Sequence, residues 1–187
     1  RNANRGTLTR VRTMAHRHGH YENAFMGFLR SRDIPYVPVD ETRRAILAGS
    51  KVKSFDLLVY PAGQHPWLVD VKGRQFPYVG TRGGRRYWEN WVTREDIEGL
   101  SEWQAVFGDD FQARFVFVYH LQGDPARWPA DQPAHEFDGQ RYAFLSVLLA
   151  DYQQHCRARS DRWQTVSVPA AAFRDIAHPV DEMVCES

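Results

Sequence analysis

The chain has 187 residues, 43% hydrophobic and 13% aromatic, with a formal net charge of +1 at neutral pH. That length suits one elaborated domain with a full core, and 25% charged residues with so small a net charge exclude a disordered chain and a polybasic scaffold. The longest apolar run, Tyr142 to Ala150, is broken by Ser146 and falls far short of the roughly 18 residues a membrane span needs. Two cysteines, Cys156 and Cys185, are too few for a disulfide scaffold or a zinc ribbon, so a reducing cytoplasm is expected.

Residues 1–19 hold five arginines and no acid and read as a basic N-terminal arm. From His20 the spacing of Tyr21, Ala24, Phe25, Phe28 and Leu29 predicts a helix that stops near Asp33, before Pro35. Ile34 to Val39 reads as a proline-interrupted edge strand, and Glu41 to Ala48 as a short helix closed by Gly49. Ser54 to Tyr60 and Trp67 to Lys72 are apolar runs joined by a Pro/Gly-rich segment, which predicts a hairpin. A glycine-rich loop follows. Thr93-Arg94-Glu95-Asp96 is a capping box with Asp in the usual Glu place, opening a helix that ends at Gly108. Phe111 to Tyr119 is a strongly apolar strand. Beyond a proline-rich connection, a hairpin turning at Asp138-Gly139, a helix from Ser146 to Arg159, a strand from Trp163 to Val168 and a short helix after Pro169 are expected.

The residues that could carry chemistry sit in the middle of this order. Of 24 basic residues only Lys51, Lys53 and Lys72 are lysines; a chain that otherwise uses arginine needs a reason for a lysine. In Asp70-Val71-Lys72 the two charged residues point to one face of a strand while Val71 packs on the other. Asp56 lies one strand earlier in an apolar setting where a bare carboxylate is costly to bury. If the two strands pair, Asp56 and Asp70 converge, and two carboxylates with the Val71 carbonyl make a hard-oxygen site suited to Mg²⁺ or Mn²⁺. Lys72 would orient or activate a water, and Glu22 on the first helix would complete the site through water or a second ion. The plain alternative is a strand-end ion pair on an exposed face.

Glu on the first helix, Asp on the second strand and Asp-x-Lys on the third, in the order helix-strand-strand-strand-helix-strand, resemble the PD-(D/E)xK nuclease superfamily. The resemblance covers roughly residues 20–120. More narrowly, His20-Tyr21-Glu22-Asn23-Ala24-Phe25-Met26 is similar to the signature of the bacterial HYExAFE proteins, with Met26 where that signature has its final Glu. It implies an α/β, restriction-endonuclease-like core over residues 20–120, its mixed central sheet flanked by helices. Residues 121–187 would then be a C-terminal α+β extension packed on the same domain.

Gln104 falls in the middle of its helix's apolar face, so its amide must find partners. They are either backbone groups or, as the resemblance implies, substrate or metal-bound water. Arg74, Arg82, Arg85 and Arg86, interleaved with Tyr78, Tyr87, Trp88 and Trp91, suit a phosphate backbone with bases to stack on, or else a solvated loop whose aromatics cover the sheet edge. His20, at the helix start, is an accessory candidate. The expected activity is phosphodiester hydrolysis of DNA, with RNA as the alternative, by a Mg²⁺- or Mn²⁺-dependent endo- or exonuclease. Glu22, Asp56, Asp70 and Lys72 would be catalytic. The rivals are a silent nucleic-acid-binding module on the same fold and a protein-interaction domain whose acids form structural ion pairs. Pairing of two copies into a homodimer is compatible with the sequence and not fixed by it.

Overall fold

A computed structural model describes residues 19–39, 45–47, 50–77, 88–130 and 132–184. Helix α1 (His20–Ser31) precedes strand β1 (Tyr36–Pro38), a small hairpin of β2 (Ala45–Leu47) and β3 (Ser50–Val52), then β4 (Leu57–Val59), β5 (Trp67–Phe76) and the short β6 (Val92–Thr93). Helix α2 (Arg94–Phe107) leads into β7 (Gln112–Leu121), β8 (His135–Phe137) and β9 (Gln140–Leu148). Then come α3 (Leu149–His155), β10 (Arg157–Ser160), β11 (Thr165–Ser167), α4 (Ala170–Ile176), β12 (His178–Pro179) and α5 (Val180–Val184).

The main sheet runs β1-β4-β5-β7-β9-β12, with β8 beside β9. Among the described strands only β5 and β7 pair in parallel, an arrangement that needs a crossover such as α2; β4–β5 and β7–β9 are antiparallel. The fold is therefore mixed α/β, a central mixed sheet flanked by helices, as the sequence leads one to expect. A second sheet, β10-β11-β6, lies apart from it. No helix among the described residues is long and apolar enough to cross a membrane.

Alternation along β5 divides the core in two. Trp67, Val69 and Val71 pack with Ala24, Phe25 and Leu29 of α1. Leu68 packs with Leu100 of α2 and with Phe115 and Phe117 of β7. Asp70 and Lys72 share the parity of Leu68, so they stand on the α2 face. Met26, at the position of the signature's final Glu, is buried in the α1 layer, where a carboxylate would be costly.

Three expectations need correction. Ala45–Leu47 is a strand rather than part of a helix, because Ala45, Ile46 and Leu47 pair with Val52, Lys51 and Ser50; a backbone ladder overrides local helix propensity here. The Glu41–Arg44 portion of that expected helix lies outside the described residues. The helix expected from Ser146 begins at Leu149, because β9 stays paired with β7 as far as Leu148; its expected end instead forms β10. The strand read from Ser54 starts only at Leu57. The Asp138-Gly139 turn, both residues at positive φ, and the Thr93–Asp96 capping box are as expected.

Gly99 shows how tightly α2 meets the preceding segment. A Cβ there would stand 2.9 Å from the Lys53 carbonyl oxygen, and backbone does not yield as a side-chain tip does. In an open helix Gly→Ala gains about 1 kcal/mol. Gly99→Ala should instead lose about 1–3 kcal/mol, measured by urea unfolding; a gain would contradict this packing.

Candidate active site

Strand β5 lies between β4 and β7, so charges in its middle are removed from water and need partners. Asp70 is 5% exposed. The Lys72 ammonium, reaching along the same face, sits 2.7 Å from Asp70 Oδ1 and 3.0 Å from Asp96 Oδ1, with its charge 5.9 Å from the Phe115 ring centroid. Asp96 is also buried. It occupies the third position of α2, where Oδ2 accepts the Thr93 N–H at 2.7 Å while Thr93 Oγ1 accepts the Asp96 N–H at 3.1 Å. Its Oδ1 also pairs with the Lys53 ammonium. Two carboxylates and two ammonium groups thus form one network joining β5, α2 and the segment after β3.

Asp56 stands one residue before β4, its N–H bonded to Val69 O at 2.9 Å. Beyond Val69 the β4–β5 ladder ends, and the Asp56 Oδ2 accepts the next N–H on that edge, from Val71. A strand residue presents N–H and C=O to the same side, so the Val71 carbonyl faces the same edge as the Asp56 carboxylate.

Burial raises the Asp70 carboxyl above its ordinary value, Lys72 pulls it back and Asp96 adds like charge. Burial would lower Lys72, but Asp70 and Asp96 outweigh it, and the ammonium is held charged above its usual range. Burial likewise works against the Asp96 carboxylate, yet Lys72, Lys53 and the Thr93 amide hold its carboxyl well below the usual carboxylate range. The Lys72 ammonium is therefore held in its charged form between the two carboxylates.

The remaining candidates are placed as follows. Glu22 is in the first turn of α1, over the opposite face from Asp70. Its Oε2 is buried beside Gly19 and has no hydrogen-bond partner among the described residues. His20 hydrogen-bonds the Tyr142 hydroxyl through Nδ1 at 3.1 Å and meets His120 edge-on, at the α1 end of the molecule. Gln104 is held by backbone: its Nε2 donates to Gly108 O and Phe111 O at 2.8 Å each, and its Oε1 accepts the Ala113 N–H at 2.6 Å. It clasps the end of α2 to the start of β7. Arg74 turns inward. Its guanidinium donates to Gly73 O and Trp91 O and lies 4.1 Å over the Trp91 ring, and burial lowers its pKa. Arg82, Arg85, Arg86, Tyr78, Tyr87 and the N-terminal arm up to residue 18 lie outside the described residues. Among those described, no group of three or more His, Cys, Asp or Glu side chains is placed to hold a metal ion.

Sequence reasoning missed Asp96 and Lys53 as members of the site. The signals were present: Asp instead of Glu in the capping box, and a second lysine in an arginine-using chain.

No protein-family model matches the chain, and no curated protein matches it. Among solved structures it is similar to Hjc, a Holliday junction resolvase from the archaeal hyperthermophile Archaeoglobus fulgidus. The two are 12% identical, with 88% of this chain and 97% of that chain covered and a TM-score of 0.48. The fold assignment stands on the strand order and helix placement described above.

Asp96 generates a pH-dependent prediction. A carboxyl depressed on folding contributes stability above its unfolded pKa of about 4 and loses that contribution as pH falls through the folded value. Asp96→Asn keeps an acceptor for the Thr93 amide but removes the charge. It should cost about 1–3 kcal/mol at pH 7, and the difference should narrow progressively below about pH 4. Denaturant unfolding of both proteins from pH 7 to pH 3 checks this; a pH-independent difference would be inconsistent with charged pairing.

Proposed function

We propose that the protein is a metal-dependent phosphodiesterase of nuclease type, acting on DNA, with RNA as the alternative substrate, in a reducing cytoplasm. The observation that carries this reading is the placement of Asp70 and Lys72 on one face of β5 while the Asp56 carboxylate binds the backbone of the residue between them. The donor set fits a hard cation: two buried carboxylates on neighbouring segments and a carbonyl on the same strand edge, all oxygen. Asp56, Asp70 and the Val71 carbonyl would hold Mg²⁺ or Mn²⁺. Glu22, carried on the other face, joins only through water or a second cation. When bound, the ion would stabilise negative charge developing on a phosphoryl group.

Lys72 acts as a charged group, orienting a water or a phosphate oxygen and offsetting charge in a site with little solvent. Arg82, Arg85 and Arg86 would supply phosphate contacts from the glycine-rich loop. Arg74 is assigned instead to holding Trp91.

One observation favours a second reading, a silent nucleic-acid-binding or protein-interaction module. Lys72 and Lys53 already neutralise Asp70 and Asp96, a closed arrangement that structure alone would accept. A labelled panel of single-stranded, double-stranded and branched DNA and of RNA, with Mg²⁺ or Mn²⁺, separates the two. Wild type should cleave and Asp70→Ala should not. Lys72→Arg should lose on the order of 10²-fold in turnover, because arginine keeps the charge but is broader and planar. Equal product from wild type and Asp70→Ala would sink the enzymatic reading.

A further inference from the structure

We propose that Asp96 is the positioning residue of Lys72, with Lys53 as its counter-cation. The consequence for turnover rests on the phosphodiesterase reading; the contact itself does not.

Lys72 has two carboxylate partners, and they are not equivalent. Asp70 is the one assigned to the cation, and positive charge gathered there repels an ammonium 2.7 Å away. Asp96 has no such second duty. Its Oδ2 is fixed by the Thr93 amide, so the carboxylate cannot swing, and Oδ1 is left facing the lysines. It is buried on the first turn of a 14-residue helix, which makes it a rigid anchor.

The two ammonium groups on Oδ1 differ in exposure. The Lys72 side chain is 12% exposed and that of Lys53 40%. Lys53 nevertheless starts from a fixed place, because its carbonyl accepts the Trp103 Nε1–H at 2.9 Å and its backbone rests on Gly99. An outer lysine that shares the Asp96 charge leaves the inner lysine with positive charge to direct at a phosphate. Two of the chain's three lysines meet on this one oxygen, among 21 arginines. A compact ammonium fits two to an oxygen where a planar guanidinium fork does not.

The test uses the full chain and five variants. Lysine ammonium groups labelled with ¹⁵N give resolved proton-coupled signals at neutral pH only when hydrogen bonds hold them. Wild type should show Lys53 and Lys72, each identified by loss of its signal in Lys53→Met or Lys72→Arg. Asp96→Asn should lose the Lys53 signal and displace that of Lys72. Thr93→Ala, which removes the hydroxyl cap but keeps the Thr93 N–H on Asp96, should retain both while melting lower. In cleavage assays Asp96→Asn should lower kcat on the order of 10²-fold with KM little changed. Asp96→Glu, the usual acid of a capping box, should recover most of that loss, and Thr93→Ala should keep kcat. Unchanged ammonium signals in Asp96→Asn, wild-type kcat in that variant, or an equal kcat loss in Thr93→Ala would each overturn the assignment. If the wild type cleaves no substrate, the phosphodiesterase reading fails by itself and the ammonium signals decide the anchoring.

Discussion

The Lys72 ammonium, between Asp70 on β5 and Asp96 on α2, is the interaction on which the centre of the molecule depends. A paired strand in the middle of a sheet normally carries apolar side chains on both faces, and β5 carries a carboxylate and an ammonium where Leu68 and Phe115 would favour another hydrocarbon. Desolvating two charges costs several kcal/mol per ion unless each is met by a partner and hydrogen bonds. Here the second partner of the ammonium comes from a different element, so the register of α2 over the sheet is set by an ion pair as well as by packing. The helix can supply it because its own first turn already immobilises the carboxylate. Local capping chemistry and tertiary electrostatics share one side chain.

Much of this was legible in the sequence, and for identifiable reasons. The Thr93–Asp96 box and the Asp138-Gly139 turn depend on neighbours within a few residues, and both form as read. The β4–β5 hairpin follows from two apolar runs and their punctuation, and with it the proximity of Asp56 to the Asp70-Val71-Lys72 segment. What escaped was set by distant pairing. Ala45–Leu47 has helix-forming residues but a strand opposite it, and Ser146 to Leu148 read as helix until the ladder to β7 claims them. Asp96 was seen only as a cap because the lysines that reach it come from 24 and 43 residues earlier in the chain. Gln104 was open between two partners in sequence, and three backbone groups close the question.

Arg74 and Trp91 show how composition misleads when burial is unknown. A basic residue beside aromatics suggests a surface for phosphates and bases. In the structure two guanidinium groups lie close to the Trp91 ring, Arg74 at 4.1 Å and Arg159 at 5.3 Å, contacts that join β5 to β10. Trp88, from the same stretch, stacks on Phe76 and leans on Tyr119. Trp88 thus packs against the core beside Phe76 and Tyr119.

The early end of β4 has a further effect on β5. Past Val69, β5 keeps its ladder with β7 but among the described residues has none on the β4 side, so a strand that is central by position becomes an edge by chemistry. Bare edges invite pairing with a foreign strand. Two of the groups on this edge are already engaged by side chains: the Val71 N–H by the Asp56 carboxylate and the Gly73 carbonyl by the Arg74 guanidinium at 2.7 Å. A passing strand would have to displace a carboxylate and a guanidinium to dock there, so the acid assigned to the site also guards the chain against edge-to-edge association.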